Sequence, residues 1–360
     1  MAKIYDASLI GKKQSVVDEI LLLNQHQTPL LNLLGFSEAV TQTTHQWFED
    51  EMIADESTVA GAVTNVATSV IVANAEPFRV GHVVKVGDEL LLVTAIAGST
   101  LTVTRGYAGT TAAAIADLAK IEVQFVEGSE GADVRGARFK ARVAKSNKTQ
   151  IFDDSVEISG TAAAVQQYGI NDLYEYEKQK KQLELALSLE KALINGIQYE
   201  SGQIRQMKGI RQFIASNVTN VAGALTMASV NDLAQKIYEA GGFATGGDYK
   251  VIVGAKQKRN LSALDTNKVQ ISRSENSRGE VVDTLINDFG QFEIALNNNL
   301  AADELLFVDA NRVAIRPLVG RDFFHKYMGE KGDYTVGMLV GEYTLEFKQE
   351  KAHGRLKGLS

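Results

Sequence analysis

SNKTQIFDDSVEISGTAAAVQQYGINDLYEYEKQKKQLELALSLEKALINGI, residues Ser146–Ile197, is the stretch that predicts the fold of this chain. Its first part alternates apolar and polar residues, as a half-buried strand does. Around Ser159–Thr161 the pattern changes to that of one long helix. We therefore expect a long extended arm that joins a rigid helical spine at this point.

The helix is predicted over Asn171–Asn195, which contains neither Gly nor Pro and is rich in Leu, Glu, Lys, Gln and Ala. Asn171 is the expected N-cap and Gly196 the expected stop. The residues expected on the buried face are Leu183, Leu187, Leu189, Leu193, Ile194 and Ile197. A core helix of an ordinary globular protein is the alternative, and this helix alone does not exclude it.

Composition narrows the class of protein. The 360 residues are 45% hydrophobic and 22% charged, which predicts a globular chain of two or three domains. The absence of cysteine excludes disulfides, cysteine-ligated zinc, iron–sulfur clusters and thiol catalysis. A net charge of -7 argues against a sequence-reading DNA binder but allows the protein to enclose nucleic acid. No signal peptide and no membrane span of ~20 apolar residues is predicted.

A β-rich module is predicted over residues 57–127. Its expected strands lie on both sides of Gly87-Asp88, a second turn falls at Gly98-Ser99, and Arg105–Thr110 is expected to close the unit. Alanine, threonine, valine and glycine fill it, so we expect a compact barrel or sandwich. Before it, residues 1–40 predict an arm with one short amphipathic helix at Val16–Leu23.

Charged residues of opposite sign flank the module, which predicts that its flanks pair as a long hairpin. The acidic residues before it are Glu49, Asp50, Glu51, Asp55 and Glu56, and the basic residues after it are Arg135, Arg138, Lys140, Arg142 and Lys145. One interpretation is a solvated hairpin whose ion pairs stabilise little. The other is an arm whose charges also contact a neighbouring subunit. Trp47-Phe48 likewise either caps a hydrophobic core or anchors such a contact.

The second half of the chain predicts a mixed α/β unit followed by strands. The expected elements are a helix Ser229–Ala240 capped by Ser229, a strand Tyr249–Val253, a helix Ala255–Leu264, and strands Phe292–Leu296 and Glu304–Val308. The tail Tyr334–Phe347 is expected to form several strands, separated by breaks at Gly337 and Gly341.

No catalytic, cofactor or metal site is predicted. The glycine-rich Gly241–Gly247 follows a helix and precedes a strand, which is the reverse of the order in a phosphate loop. The five histidines are scattered, without the spacing of metal ligands. Asp153-Asp154 and Asp303-Glu304 are paired carboxylates, but we expect both pairs at turns with structural roles. A hydrolase is therefore the weakest functional interpretation.

Several segments resemble the major capsid proteins of tailed bacteriophages, in particular the group with a β module inserted in the extended loop. The segments follow the family's order along most of the chain. They are His45–Trp47 with Asp50, Asn147–Ile151, Val156–Thr161, Gly169, Met207–Ile210 and Glu342–Gly354.

The resemblance implies an α+β fold of the Hong Kong ninety-seven type, with a long spine helix, an extended β-hairpin loop and an inserted small all-β domain. The implied domains are an N-terminal arm (1–40), an extended loop (41–56 and 128–160), the inserted β domain (57–127), a peripheral domain (161–208 and 311–360) and an axial domain (209–310). The implied intersubunit contacts are Trp47, Phe48, Glu49, Asp50, Arg135, Arg138, Lys140, Arg142 and Lys145.

The implied function is that of a major capsid protein, which self-assembles into hexamers and pentamers and forms the icosahedral head shell around phage double-stranded DNA. Its expected partners are copies of itself and the portal, scaffolding or decoration proteins, with no membrane and no sequence-specific DNA contact. We expect synthesis in the host bacterial cytoplasm and a final place in the virion. Two alternatives stay open: an encapsulin-like compartment, or a tail or baseplate protein, because Val103–Thr110 has the V-x-R-G-x-x-G-T ending of β modules found there.

Overall fold

The computed structural model describes residues 28–360 except 129, 132–136, 166–169, 171, 244–246, 264–270, 276–280 and 331. The predicted helix Val16–Leu23, the predicted N-cap Asn171, and Arg135 and Gly169 lie outside the described residues. The chain divides into two compact bodies. The first contains the described residues up to Trp47 together with Ala144–Ser360, and the second is Phe48–Val143.

Six α-helices are described, all in the first body. They are α1 (Pro29–Leu34), α2 (Gly160–Ala164), α3 (Leu173–Asn195), α4 (Ile210–Phe213), α5 (Met227–Glu239) and α6 (Ala255–Ala263).

Two sheets and two short ribbons account for the strands outside the second body's sheet. A seven-stranded sheet has the order β12-β21-β17-β13-β16-β15-β14, and a four-stranded sheet has the order β18-β20-β19 with β9 also paired to β20. The ribbons are β1-β8 and β10-β11. The strands are β1 (Thr44–Glu49), β8 (Val143–Lys148), β9 (Gln150–Ser159), β10 (Tyr199–Ser201), β11 (Ile204–Gln206), β12 (Val218–Gly223), β13 (Tyr249–Val253), β14 (Ile271–Glu275), β15 (Val281–Asn287), β16 (Gly290–Leu296), β17 (Leu305–Asp309), β18 (Val313–Pro317), β19 (Phe324–Glu330), β20 (Tyr334–Phe347) and β21 (Gly354–Leu359).

The second body is a six-stranded sheet of order β2-β7-β4-β5-β6-β3 around its own apolar core. Its strands are β2 (Glu56–Thr58), β3 (Ser69–Ile71), β4 (His82–Val86), β5 (Glu89–Ala97), β6 (Thr100–Thr104) and β7 (Lys120–Val126). Backbone hydrogen bonds join the two edge strands, Ala60 N to Ile71 O at 2.8 Å and Ala73 N to Thr58 O at 2.9 Å. The sheet therefore closes into a small barrel. Arg105–Thr110 was predicted to close the unit. This prediction is wrong, because β7 follows it and supplies the last strand.

The spine helix α3 begins later than predicted, and the side chains that it buries differ from the predicted set. Its N-cap is Asp172, whose side chain accepts hydrogen bonds from Tyr174 N and Glu175 N, and it ends at the predicted Gly196. The predicted buried face is partly wrong. Leu183 is 40% exposed, and Ile197 lies beyond the helix with its side chain exposed. The fully or nearly buried positions are Leu185, Leu189, Glu190, Leu193 and Ile194.

The tail forms one continuous 14-residue strand, β20, rather than several strands. Its glycines are places of close packing and not breaks. A Cβ at Gly341 would lie 2.5 Å from Phe323 Cδ1, and one at Gly337 would collide with the Tyr174 hydroxyl. The prediction failed because a glycine in a strand leaves room for a neighbouring ring as readily as it interrupts pairing.

Two smaller predictions also need correction. The cap of α5 is Thr226, which forms a capping box with Ser229 at the third helical position, so Ser229 is not the cap itself. Asp153-Asp154 lies within β9 and not at a turn. The predicted helix itself is present, and its buried residues are Val230, Leu233, Ala234 and Ile237.

Candidate subunit-contact surface

The paired strands β1 and β8 carry four of the nine predicted contact residues, Trp47, Phe48, Glu49 and Lys145. Because successive side chains of a strand point to opposite faces, neighbours in sequence meet different surroundings. Trp47 is 6% exposed, and its ring centroid lies 6.0 Å from that of Phe213 in the core of the first body. Phe48, the next residue, is 72% exposed. Of the two roles considered for this pair, Trp47 therefore has the internal one, and Phe48 is the member available to another molecule.

The charged flanks form ion pairs within the second body. Lys140 Nζ lies 3.0 Å from Glu51 Oε2, and Arg142 Nε lies 3.3 Å from Asp50 Oδ2. Solvent screens the attraction in both pairs, so neither contributes much to the stability of the fold. Arg138 differs, since its Nη1 donates a hydrogen bond to Pro77 O at 2.7 Å. The predicted pairing of opposite charges is thus present inside one chain.

Large apolar side chains are exposed close to these ion pairs. Met52 is 91% exposed and Phe139 is 86% exposed, and they are next to Glu51 and Lys140 in the sequence. Such side chains favour burial against another surface, because apolar area removed from water lowers the free energy. Together with Phe48, they mark the segments 48–52 and 138–142 as the candidate contact surface in the second body.

Lys145 lies in the first body, exposed, near a second lysine. The Nζ of Lys208 lies 4.5 Å from the ring centroid of Phe213. Burial lowers the pKa of Lys208, and the positive charge of Lys145 lowers it further. The negative charge of Glu350 acts in the opposite direction on Lys208.

Buried polar side chains of β20 bind the end of the β1-β8 ribbon that lies in the first body. These side chains were not predicted from the sequence. Glu342, Thr344 and Glu346 alternate along the strand and therefore share one face. Thr149 Oγ1 donates to Glu342 Oε1 at 2.6 Å, Thr344 Oγ1 donates to Lys148 O at 3.0 Å, and His45 Nε2 lies 2.7 Å from Glu346 Oε2. Lys148 of β8 and His45 of β1 are thereby both bonded to β20.

Asn147 completes the junction with four hydrogen bonds from a fully buried side chain. Its Nδ2 donates to Lys208 O at 3.0 Å and to Leu345 O at 2.8 Å, while its Oδ1 accepts from Lys148 N and Lys208 N. The sequence did carry a signal here. Asn147–Ile151 and Glu342–Gly354 were two of the segments on which the family resemblance rested, and the structure brings them into contact.

The electrostatics of Glu346 depend on three basic side chains. Burial alone would raise the pKa of Glu346, but hydrogen bonds from His45 and Lys348 and the charge of Arg316 outweigh it and lower the pKa to about 2. In the unfolded chain, which lacks these partners, the ordinary value of 4.5 applies. The ionised carboxylate therefore favours the folded state.

This shift predicts a loss of stability in acid. As the pH falls from 4.5 to 2, the unfolded chain takes up a proton on residue 346 before the folded chain does, so the free energy of unfolding decreases. We expect Glu346→Gln to be less stable at pH 7 and to lose less stability over that pH interval. Chemical denaturation between pH 2 and 7 measures both effects. The exposed Glu157→Gln is the control, and equal pH slopes for wild type and Glu346→Gln would contradict the assignment.

The remaining titratable clusters have structural partners. Glu304 is buried and paired with Arg211 and Arg355, each at 2.5 Å, and Asp154 pairs with Lys181 of α3 at 3.0 Å. Within the described ranges, no three His, Asp or Glu side chains are placed to hold a metal ion. None of the described helices is long and apolar enough to span a membrane.

The comparisons with known proteins address the chain as a whole. The family model described as SU10 major capsid protein matches residues 3–360. No curated protein matches.

Among solved structures, the cyanophage A-1(L) capsid asymmetric unit is 10% identical with a TM-score of 0.55, and covers 98% of each chain. Mycobacterium phage Adephagia is 10% identical with a TM-score of 0.52, and covers 99% of this chain and 98% of its own. The capsid of a native GTA particle is 10% identical with a TM-score of 0.51 and the same coverage. These likenesses confirm the predicted capsid fold, and with the family match over nearly the whole length they show that the chain belongs to the SU10 major capsid protein family.

Proposed function

We propose that copies of this chain form hexamers and pentamers, which close into the icosahedral head shell of a tailed phage around its double-stranded DNA. The family match over residues 3–360 carries the proposal. As a major capsid protein, the chain assembles with copies of itself. Its role is structural rather than catalytic, and the portal and scaffolding or decoration proteins are its further partners. The net charge of -7 is compatible with a shell that encloses DNA without binding it tightly.

Within this shell we assign the domains as the resemblance implies. The seven-stranded sheet lies mostly in the proposed axial domain, residues 209–310, and α3 with β18–β20 lies in the proposed peripheral domain. The barrel occupies the proposed insertion in the extended loop. Synthesis in the host cytoplasm and a place in the virion follow from the same proposal.

The contact surface is proposed to be the exposed part of the loop, with Phe48, Asp50, Arg138, Lys140 and Arg142 against a neighbouring subunit. Its exposed aromatic rings support this role, since apolar area removed from water stabilises a contact. Heterologous contacts of this kind close rings when the rotation between subunits closes. Each contact is weak, and their number makes the shell stable.

Charge reversal tests both the function and this surface. We expect the purified wild type to form closed shells in negative-stain microscopy, and Arg138→Glu with Arg142→Glu to lower particle yield at least about tenfold, because repulsion replaces attraction at each contact. Sedimentation measures the yield. Arg142→Glu alone separates assembly from the Pro77 contact of Arg138.

Lys120→Glu is the matched control, because Lys120 is an exposed, ion-paired lysine of the barrel outside the proposed surface. Wild-type yield in the double variant would contradict the contact surface. Tubes, or particles that hold an enzyme instead of DNA, would contradict the proposed head shell in favour of the tail or compartment alternative.

The tail or baseplate alternative rested on Val103–Thr110. In the structure these residues make contacts within the barrel itself. Arg105 pairs with Glu89, Gly106 adopts a φ of 62°, and Thr110 Oγ1 donates to Tyr107 O. The motif is therefore a requirement of this small β fold. It supports no particular role for the protein that contains it.

A further inference from the structure

The arm helix α1 is too short to be stable alone. Isolated helices of six residues are unstable in water, because nucleation costs more free energy than a few hydrogen bonds recover. Its N-cap Thr28 makes no side-chain capping bond. The first backbone N–H groups of the helix, including those of Leu30 and Leu31, therefore need acceptors from elsewhere in the chain.

Glu190, on the spine helix, supplies both acceptors. Its Oε1 accepts from Leu30 N at 2.9 Å, and its Oε2 accepts from Leu31 N at 3.0 Å. The side chain is fully buried, and no lysine or arginine of the described ranges forms an ion pair with it. Burial raises the pKa of Glu190, and the hydrogen bonds from Leu30, Leu31 and Asn297 act against that rise. A buried carboxylate without a cation is costly, so these donors are what makes it tolerable.

Asn297 fixes the position of the carboxylate from a third direction. Its Nδ2 donates to Glu190 Oε1 at 2.6 Å. Asn297 is itself held, because its backbone N donates to Val253 O at 2.8 Å and its Oδ1 accepts from Asn299 N at 2.9 Å. The arm helix, the spine helix and the loop after β16 therefore meet at one side chain.

The following residues of the arm have a separate attachment. Ser37 N donates to Ile315 O at 2.8 Å, and Val40 N donates to Pro317 O at 2.8 Å, so this part runs beside β18. These bonds involve backbone atoms only and do not depend on Glu190. The two attachments of the arm are thus chemically independent.

We propose that Glu190 is a latch for the arm: together with the buried side chain of Leu30, its carboxylate holds Pro29–Leu34 on the subunit, and without it this helix opens more often while residues 37–40 stay paired with β18. Glu190 is a positioning residue in this proposal.

Site-resolved hydrogen exchange of the full-length chain tests the latch. Glu190→Gln keeps the side-chain volume but replaces one acceptor oxygen by a donor. We expect the Leu30 and Leu31 amides to exchange at least about tenfold faster, and the Ser37, Val40 and Val251 amides to keep wild-type rates. Glu184→Gln, an exposed carboxylate on the same helix, should change none of them.

Two outcomes would overturn the proposal: unchanged exchange at Leu30 and Leu31, or an equal acceleration at Ser37 and Val40. If Glu190→Gln fails to fold, Asn297→Ala serves instead, because it removes one donor and leaves the carboxylate and the arm intact. Selective acceleration at Leu30 and Leu31 supports the latch there too, and unchanged rates contradict it.

Discussion

Replacing Arg105 by alanine is expected to unfold the barrel of the second body, with a loss of about 3–5 kcal/mol. Arg105 donates to both oxygens of Glu89, each at 2.7 Å, and to the carbonyls of Thr64, Ala67 and Ala113. Glu89 is 2% exposed. Burial raises the pKa of Glu89, but the hydrogen bonds and charge of Arg105, together with backbone hydrogen bonds from Ala113 and Gly106, lower it below its ordinary value. The variant leaves that carboxylate buried without its cation.

Hydrogen exchange across Phe48–Val143, compared with the first body, measures this loss. Lys120→Ala is the matched control, because it breaks an ion pair with Glu56 in which both side chains are more than half exposed. We expect that control to change stability by about 0–1 kcal/mol. Replacing both partners, Glu89→Leu with Arg105→Met, should recover part of the stability, since no charge is then left buried. A single Arg105→Ala variant as stable as the control would refute the assignment.

The second large effect is expected at Gly209, the N-cap of α4, which packs against the C-terminal end of the spine helix. The N–H of Gly209 donates to Gly196 O at 2.9 Å, so the two glycines close the base of the β10-β11 ribbon. A Cβ at Gly209 would lie 2.6 Å from Gly196 N, 2.8 Å from Ala192 O and 2.9 Å from Ile194 O. These are backbone atoms of the helix end, and they move only if the helix moves. We expect Gly209→Ala to cost about 3 kcal/mol or more.

Urea unfolding of the unassembled subunit measures that cost. Gly223→Ala is the control in the same body, because its added Cβ would meet only Val221 O, at 3.8 Å. We expect a change of less than about 1 kcal/mol there. If Gly209→Ala and Gly223→Ala unfold at the same urea concentration, the close approach does not limit stability.

Lysines in the polar middle of the spine helix form both local and long-range ion pairs. Lys178 and Lys181 pair with Glu175 and Glu184 three residues away, which the spacing alone allows. Lys181 also pairs with Asp154 of β9 at 3.0 Å, a contact that no local pattern contains. The charged segment is therefore both a solvated helix face and a link to the extended strand.

The buried acid residues were not predicted, for a related reason. Glu190, Glu342 and Glu346 look in sequence like surface residues, since an isolated carboxylate avoids burial. Each of them has a hydrogen-bond donor from a segment more than a hundred residues away, such as Leu30 for Glu190, Thr149 for Glu342 and His45 for Glu346. Only folding brings these partners together, and only then does burial become tolerable.

Elements with a strong local signal could be predicted from the amino-acid sequence. Helix-forming composition without Gly or Pro predicted the spine helix and its stop at Gly196, and glycine turns predicted the hairpins of the barrel. The segments in family order predicted the capsid fold. Tertiary structure decided which face of the spine is buried, why Gly337 and Gly341 continue a strand, and which carboxylates lie inside. The physical reason is that helix and turn propensities act over a few residues, whereas burial depends on side chains that only the complete fold places side by side.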